Sequence, residues 1–173
     1  FLGNEGEGLN LSSAEIENIT TEKLYIGNDT SGSIFVSDFS GTETSNINEF
    51  NLNAVKAGET IEFSEGSFSF NELFSRSDQV LSVLGDITTT KGHLYLTSVN
   101  ADVIIGESKT LSSGDDLLIV AGENKTIRAL GELDLLAVDH IKIRSHLNSL
   151  GKTNIMADEN DDTIGEINLD KDK

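Results

Sequence analysis

The sequence predicts an all-β fold, a parallel β-helix in which short strands stack as the rungs of a solenoid. Three observations predict it. Apolar and polar residues alternate in short segments bounded by Gly, Asn, Asp and Ser, a pattern typical of strands. Glycine-led segments recur about every 20 residues. The 173-residue chain contains no proline, as expected where ladders use the backbone N–H groups.

The strand candidates are short, and each places two apolar residues on one side and one residue on the other. They are Leu24–Ile26, Ile34–Val36, Ile61–Phe63, Phe68–Phe70, Leu94–Leu96, Leu133–Leu135, Ile141–Ile143 and Ile167–Leu169. A three-residue strand buries little surface alone, so each must pair with another. Helical spacing is nearly absent, and its best candidate is interrupted by polar residues, so we expect a lateral loop or a short helix at 71–84.

A repeat becomes visible when the chain is aligned on glycine. Four segments share an alternating apolar pattern after a glycine, and they begin at Gly92, Gly114, Gly131 and Gly151. A unit of about 20 residues with two or three strands has the size of one β-helix coil, and neighbouring coils lie about 4.8 Å apart. The alignment places four residues on one inner wall: Leu94, Leu118, Leu133 and Ile155. About eight such rungs would form a rod of roughly 40 Å.

Composition limits the classes of function. The chain has 30 acidic and 12 basic residues, a formal net charge of −18, which disfavours nucleic acid and anionic membranes as partners. It has no cysteine, so neither a disulfide nor a thiolate metal site is expected. No apolar run is long enough for membrane insertion, and no signal peptide is recognisable. We expect a single β-helix domain over residues 1–173, cut from a longer or processed protein because it begins without Met.

Two segments resemble the repeats of filamentous-haemagglutinin-like giant bacterial adhesins. In that family, L-T-x-x-E-L leads to I-T-x-G-x-L-x-I-G, a polar turn and G-x-I-x-V, and residues 11–36 here read LSSAEIENITTEKLYIGNDTSGSIFV. Residues 140–169, HIKIRSHLNSLGKTNIMADENDDTIGEINL, are similar to a second family element. With the glycine-led units between them, the resemblance covers roughly residues 9–169.

The resemblance implies a right-handed parallel β-helix, secretion across the bacterial envelope, and attachment to cells or surfaces. The Asn-Pro motif of the family's secretion domain cannot occur in a chain without proline, and residues 37–90 are less regular than the family's repeats. We therefore expect a structural shaft segment of a secreted surface adhesin or extracellular filament, not an enzyme, and without a cofactor. The expected partners are neighbouring repeats of the same protein, further copies stacked end to end because neither terminus resembles a cap, and host-cell or surface glycans.

An acidic segment near the C-terminus is a candidate calcium site. Hard cations take several oxygen ligands, which Asp158, Asn160 and Asp162 could supply from one turn. The segment is not an EF-hand, because Thr163 stands where the invariant Gly belongs and Leu169 where the bidentate Glu belongs. A solvated turn with local hydrogen bonds is the favoured interpretation.

A second candidate site groups charged residues on outward positions: Asp139, His140, Lys142, Arg144 and His146. Polysaccharide-cleaving β-helices of the pectate-lyase type assemble such groups from adjacent rungs, so a polysaccharide-active enzyme or a non-catalytic glycan-binding module is the alternative function. Acid–base chemistry needs partners on neighbouring rungs, and the glycine alignment offers only Arg128 and few acids there. An outward charge patch is therefore favoured.

Overall fold

A computed structural model describes residues 12–37, 43–158 and 166–169. No helix in these residues is long and apolar enough to cross a bilayer. The elements are α1 (Ser13–Glu17), β1 (Thr21–Asn28), β2 (Ile34–Val36), β3 (Ile47–Ala54), β4 (Ile61–Phe63), β5 (Ser67–Phe70), β6 (Leu73–Ser77), β7 (Leu81–Val83), β8 (Asp86–Thr89), β9 (Leu94–Ser98), β10 (Val103–Ile105), β11 (Lys109–Ser113), β12 (Leu117–Val120), β13 (Thr126–Ala129), β14 (Leu133–Ala137), β15 (His140–Ile143), β16 (His146–Ser149), β17 (Thr153–Met156) and β18 (Glu166–Leu169).

The strands form three parallel sheets that together make a solenoid. The seven-stranded sheet has the order β1-β3-β6-β9-β12-β15-β18, the six-stranded sheet β2-β4-β7-β10-β13-β16, and the five-stranded sheet β5-β8-β11-β14-β17. From β4 onward, each turn of the chain adds one strand to each sheet in a fixed order. The predicted parallel solenoid is confirmed, with about six turns of about 23 residues in place of eight turns of about 20. All eight strand candidates are confirmed as well.

Columns of stacked apolar side chains fill the interior. Leu73, Leu94, Leu117 and Ile141 occupy one register position in four successive turns, and all four are fully buried. Toward the N-terminal half the columns hold larger rings, including an edge-to-face pair of Phe50 and Phe70 and another of Phe63 and Phe68. Because every turn repeats the same inward positions, one alternating pattern builds a continuous core.

The prediction of a lateral loop or short helix at 71–84 is wrong. These residues form β6 and β7, whose inward positions include Ser75 and Ser77. The two serines made the segment look too polar for a buried strand. In the structure they point into the core in line with apolar residues: Ser75 pairs with Leu52 on one side and Leu96 on the other.

The single inner wall predicted from the glycine alignment is also wrong. Leu94 lies in the seven-stranded sheet, whereas Leu133 and Ile155 lie in the five-stranded sheet. Leu118 belongs to the seven-stranded sheet but occupies an outward position, between Tyr95 and Lys142. The true register advances by about 23 residues, so a residue must be compared with one farther along the chain than the glycines indicated.

The glycines instead mark close approaches between turns at two different corners. A Cβ atom at Gly114 would lie 2.7 Å from the backbone nitrogen of Lys91, next to Gly92, and one at Gly151 would lie 2.5 Å from the backbone nitrogen of Glu132, next to Gly131. Gly92 and Gly114 precede strands of the seven-stranded sheet, whereas Gly131 and Gly151 precede strands of the five-stranded sheet. The apparent period is therefore too short, because the step of 17 residues from Gly114 to Gly131 joins two different corners and spans less than a full turn.

The two ends of the described solenoid differ. At the N-terminal end, α1 places Ile16 fully within the core. A capping box between Ser12 and Glu15 stabilises the first turn of this helix. At the other end, Ile167 and Leu169 of β18 pair with the buried Ile141 and Ile143. They are nevertheless 45% and 56% exposed, because β18 is the last strand of its sheet in the described residues.

The two inward serines of β6 make a matched test of the core. The hydroxyl of Ser75 is buried and has no hydrogen-bond partner in the described residues, whereas that of Ser77 donates to the carbonyl oxygen of Gln79 at 2.6 Å. We expect Ser75→Ala to raise the free energy of unfolding by up to about 1 kcal/mol and Ser77→Ala to lower it by about the same amount. Urea denaturation of both variants measures this difference, and a loss of stability in Ser75→Ala would contradict the inward placement.

Candidate functional site

The candidate site lies on the outward face of the seven-stranded sheet, where β6, β9, β12 and β15 are neighbours. In-register pairing aligns the residues that stand just before, or at the start of, these strands in a polar column: Glu72, His93, Asp116 and His140. Two residues farther along, a second column holds Phe74, Tyr95, Leu118 and Lys142. Side chains separated by more than twenty residues in sequence thus come within contact distance, because neighbouring strands lie about 4.8 Å apart.

Three rings form an aromatic patch on this face. The ring centroids of Phe74 and Tyr95 are 5.0 Å apart with an interplanar angle of 88°, and His93 stacks on Tyr95 at 5.0 Å and 19°. All three side chains are half-buried, so each presents part of its surface to solvent. Ordered, partly exposed aromatic rings are enriched at binding surfaces, since they offer apolar area at a low cost in side-chain entropy.

Asp116 connects two neighbouring turns through its carboxylate. One oxygen lies 2.8 Å from Nδ1 of His140, and the other accepts a hydrogen bond from Nζ of Lys142 at 3.2 Å. Burial is the largest single influence and raises the pKa of Asp116, but hydrogen bonds and charge from His140 and Lys142 together bring it below its ordinary value. Asp116 is therefore an anion at neutral pH.

The pKa of the neighbouring residue Asp115 is shifted in the opposite direction. Burial raises the pKa of Asp115, the carboxylates of Asp116 and Asp139 raise it further, and only His93 opposes them. The pKa values of these two adjacent carboxyl groups therefore move apart, because Asp116 has cationic partners and Asp115 lies beside other carboxylates.

His93 has two mutually exclusive partners at one ring atom. Its Nδ1 lies 3.4 Å from the backbone nitrogen of Asp116, a donor, and 3.3 Å from a carboxylate oxygen of Asp115, an acceptor. An Nδ1 atom with a lone pair accepts from the Asp116 N–H, whereas an Nδ1 atom that carries a proton donates to Asp115. The two contacts therefore exclude each other.

The charged cluster predicted from sequence is only partly brought together. His140 and Lys142 lie on β15, with Asp139 immediately before it and Arg144 immediately after it. His146 begins β16 in the six-stranded sheet and does not share this face.

Sequence reasoning also chose the wrong neighbouring turn. Arg128, taken as the partner of the cluster, pairs with Asn148 in the six-stranded sheet. The neighbour of His140 is Asp116, and beyond it His93, so Asp115, Asp116 and the aromatic rings of this face were missed, although Asp139 was predicted. The adjacent Asp115 and Asp116 could have indicated the site, had they been aligned with the correct turn.

The candidate calcium site is described only in part. Asp158 ends the second described segment and has a φ of 68°, in the left-handed region that Asp tolerates better than most residues. Asn160 and Asp162 lie outside the described residues. Calcium binding at this turn stays a prediction.

No protein-family model, no curated protein and no solved structure matches the chain. The fold defines its class: the chain is a parallel β-solenoid of about six turns. The face of the seven-stranded sheet adds an aromatic patch next to carboxylates and imidazoles from successive turns.

The opposite pKa shifts predict opposite effects of two conservative substitutions on stability. The lowered pKa of Asp116 means that its ionised form stabilises the fold above about pH 4, and that this contribution is lost as pH falls through the lowered pKa. The raised pKa of Asp115 means that its ionised form costs stability at neutral pH, a cost relieved as pH falls through the raised pKa.

We therefore expect Asp116→Asn to lower the melting temperature at pH 7 and Asp115→Asn to raise it. Each substitution should change the free energy of unfolding by roughly 1 kcal/mol or less. Both differences should shrink as pH falls, the Asp115 difference first because the pKa of Asp115 is raised, and the Asp116 difference at lower pH because the pKa of Asp116 is lowered. Thermal melts in a buffer with a chelator, followed by circular dichroism, measure both variants. Equal destabilisation by the two substitutions would contradict the assigned electrostatics.

Proposed function

We propose that the chain is a structural shaft segment of a secreted bacterial surface adhesin or extracellular filament of the filamentous-haemagglutinin-like type. The observation that carries the proposal is the set of three parallel ladders, which run in register through the successive turns. A solenoid of this kind gains about 4.8 Å of length per turn without changing its cross-section, which suits a spacer. With about six turns, this segment contributes roughly 30 Å.

The two segments that resemble the adhesin repeats support the proposal. Residues 21–28 and 34–36 of the first segment form β1 and β2, so its apolar positions from Leu24 onward are strand positions of a solenoid, whereas Ile16 lies in α1. The second segment contains β15, β16, β17 and β18, one strand of every sheet and a second of the seven-stranded sheet. The second segment therefore spans one full turn of this fold and the first strand of the next.

Charge supports an extracellular role in attachment over one in nucleic-acid or membrane binding. The net charge of −18 keeps copies of the shaft soluble and repels other polyanions. The described ion pairs use few of the acidic groups: Lys23 with Glu49, Lys56 with Glu59 and Lys142 with Asp116.

A second function, glycan binding, is favoured by one specific observation. Acidic and imidazole groups from three successive turns, His93, Asp116 and His140, converge beside the aromatic patch. Convergence across turns is what a binding or catalytic site on a β-helix requires, and a purely structural shaft does not need it. On this second proposal the face binds glycans as a non-catalytic module. Polysaccharide cleavage at the same face is the enzymatic alternative.

Surface labelling tests the shaft proposal. We expect antibodies raised against the purified chain to label intact, unpermeabilised cells of the source bacterium or filaments shed from them. Antibodies against a cytoplasmic protein of the same cells are the control for leakage. Labelling that requires permeabilisation would contradict secretion and with it the adhesin assignment.

A glycan array tests the second function with a matched pair of tyrosines. Tyr95 lies in the aromatic patch, whereas Tyr25 occupies the corresponding column of the same sheet at β1, away from the patch, and is 62% exposed. We expect Tyr95→Ala to lose glycan binding, by about 1–2 kcal/mol for a buried aromatic contact, and Tyr25→Ala to retain it. Equal loss in both tyrosine variants would contradict a role for the patch.

A second assay separates binding from cleavage. Polysaccharides that bind are incubated with wild type and with His140→Ala, and their chain length is then measured.

A further inference from the structure

We propose that Asp116, Asp139 and His140 bind a divalent transition-metal ion, with zinc as the representative, across two neighbouring turns of the solenoid. Their candidate ligand atoms, one carboxylate oxygen from each aspartate and one imidazole nitrogen, all lie within 4.8 Å of one another. All three residues are half-buried and reachable from solvent. This inference is independent of the proposed shaft function.

The ligand types select the class of metal. Calcium and magnesium prefer shells of oxygen atoms, whereas imidazole nitrogen suits zinc, nickel, copper and iron. A site with one histidine and two carboxylates therefore favours a first-row transition metal over calcium. With three protein ligands, a four-coordinate zinc retains one position for water or for an oxygen of a bound molecule.

The geometry needs only small side-chain movements to close on a metal. Ligand atoms about 2.0–2.1 Å from a tetrahedral zinc are roughly 3.4 Å apart. Nδ1 of His140 and Oδ1 of Asp116 are already 2.8 Å apart. To bind a metal through Nδ1, the ring must present the lone pair of that atom and carry its single proton on Nε2. The carboxylate of Asp139 then completes the set.

The fold fixes the ligands in advance. Asp116 precedes β12, and Asp139 and His140 stand at the start of β15, so backbone ladders set the separation of the two turns. The backbone N–H of Asp139 donates to the carbonyl oxygen of Asp115 at 3.2 Å, which ties the two ligand-bearing corners together. Ligands held on strands lose less entropy on binding than ligands on a free loop.

The ammonium group of Lys142 competes with the metal for the carboxylate of Asp116. This ammonium lies 3.2 Å from Oδ2 of Asp116 and already offsets part of the local negative charge. A dication that binds Asp116 is repelled by this ammonium. Removing the Lys142 charge should therefore strengthen metal binding, which is the opposite of what removing a ligand does.

Isothermal titration calorimetry of the untagged chain with zinc chloride tests the proposal. We expect one site per chain and a weakening of about tenfold or more in His140→Gln and Asp139→Asn, since even residues outside the ligand shell contribute 10- to 100-fold. Lys142→Gln should bind roughly two- to fivefold tighter. His146→Ala and Glu107→Gln, on exposed positions away from this face, are matched controls and should bind as wild type does.

Zinc should also raise the melting temperature of wild type and Lys142→Gln but leave that of His140→Gln unchanged, because a bound metal stabilises the folded state only. Circular dichroism checks that each variant is folded, and Asp139→Asn provides an independent ligand if His140→Gln is not. Three outcomes overturn the proposal: no stoichiometric binding, an equal loss of affinity in His146→Ala, or calcium binding as tightly as zinc at this site.

Discussion

In-register parallel pairing is the constraint on which the rest of this structure depends. Because each strand bonds to its counterpart one turn away, a residue of an inner strand in the described turns lies next to residues about 23 positions before and after it. Inside the solenoid, this stacks leucine on leucine, as in the buried column from Leu73 to Ile141. It also requires the backbone N–H groups for the ladders, which fits a sequence without proline.

The same constraint assembles the candidate site. His93, Asp116 and His140 are far apart in sequence, yet a spacing of about 4.8 Å between turns places them within hydrogen-bond reach. The site therefore has no local sequence motif. Its chemistry arises from the order of side chains along a column, where a carboxylate lies between two imidazoles, and a second carboxylate on the same corner has its pKa shifted the other way.

The strands could be predicted from sequence because their inward pattern is local, but the register could not. Glycines 92, 114, 131 and 151 were read as one repeating corner, whereas they mark close approaches at two corners of the turn. The buried strand β6 could not be recognised from sequence, because Ser75 and Ser77 occupy inward positions that are normally apolar. Once the register was wrong, the acids that neighbour His140 could not be identified, since they lie one full turn away.

A shaft alone explains the interior of this chain but not its outer surface. Stacking requires inward apolar residues and leaves outward positions free, and on the five-stranded sheet Ser69, Thr88 and Ser112 fill one such column. On the seven-stranded sheet, corresponding positions hold interacting rings and charged groups, among them Tyr95 and His140. Half-buried imidazoles and paired carboxylates add little to fold stability, because exposed ion pairs contribute about 1 kcal/mol at most. The contacts between rings and charged groups on the seven-stranded sheet are therefore the part of the outer surface that stacking of the turns does not explain.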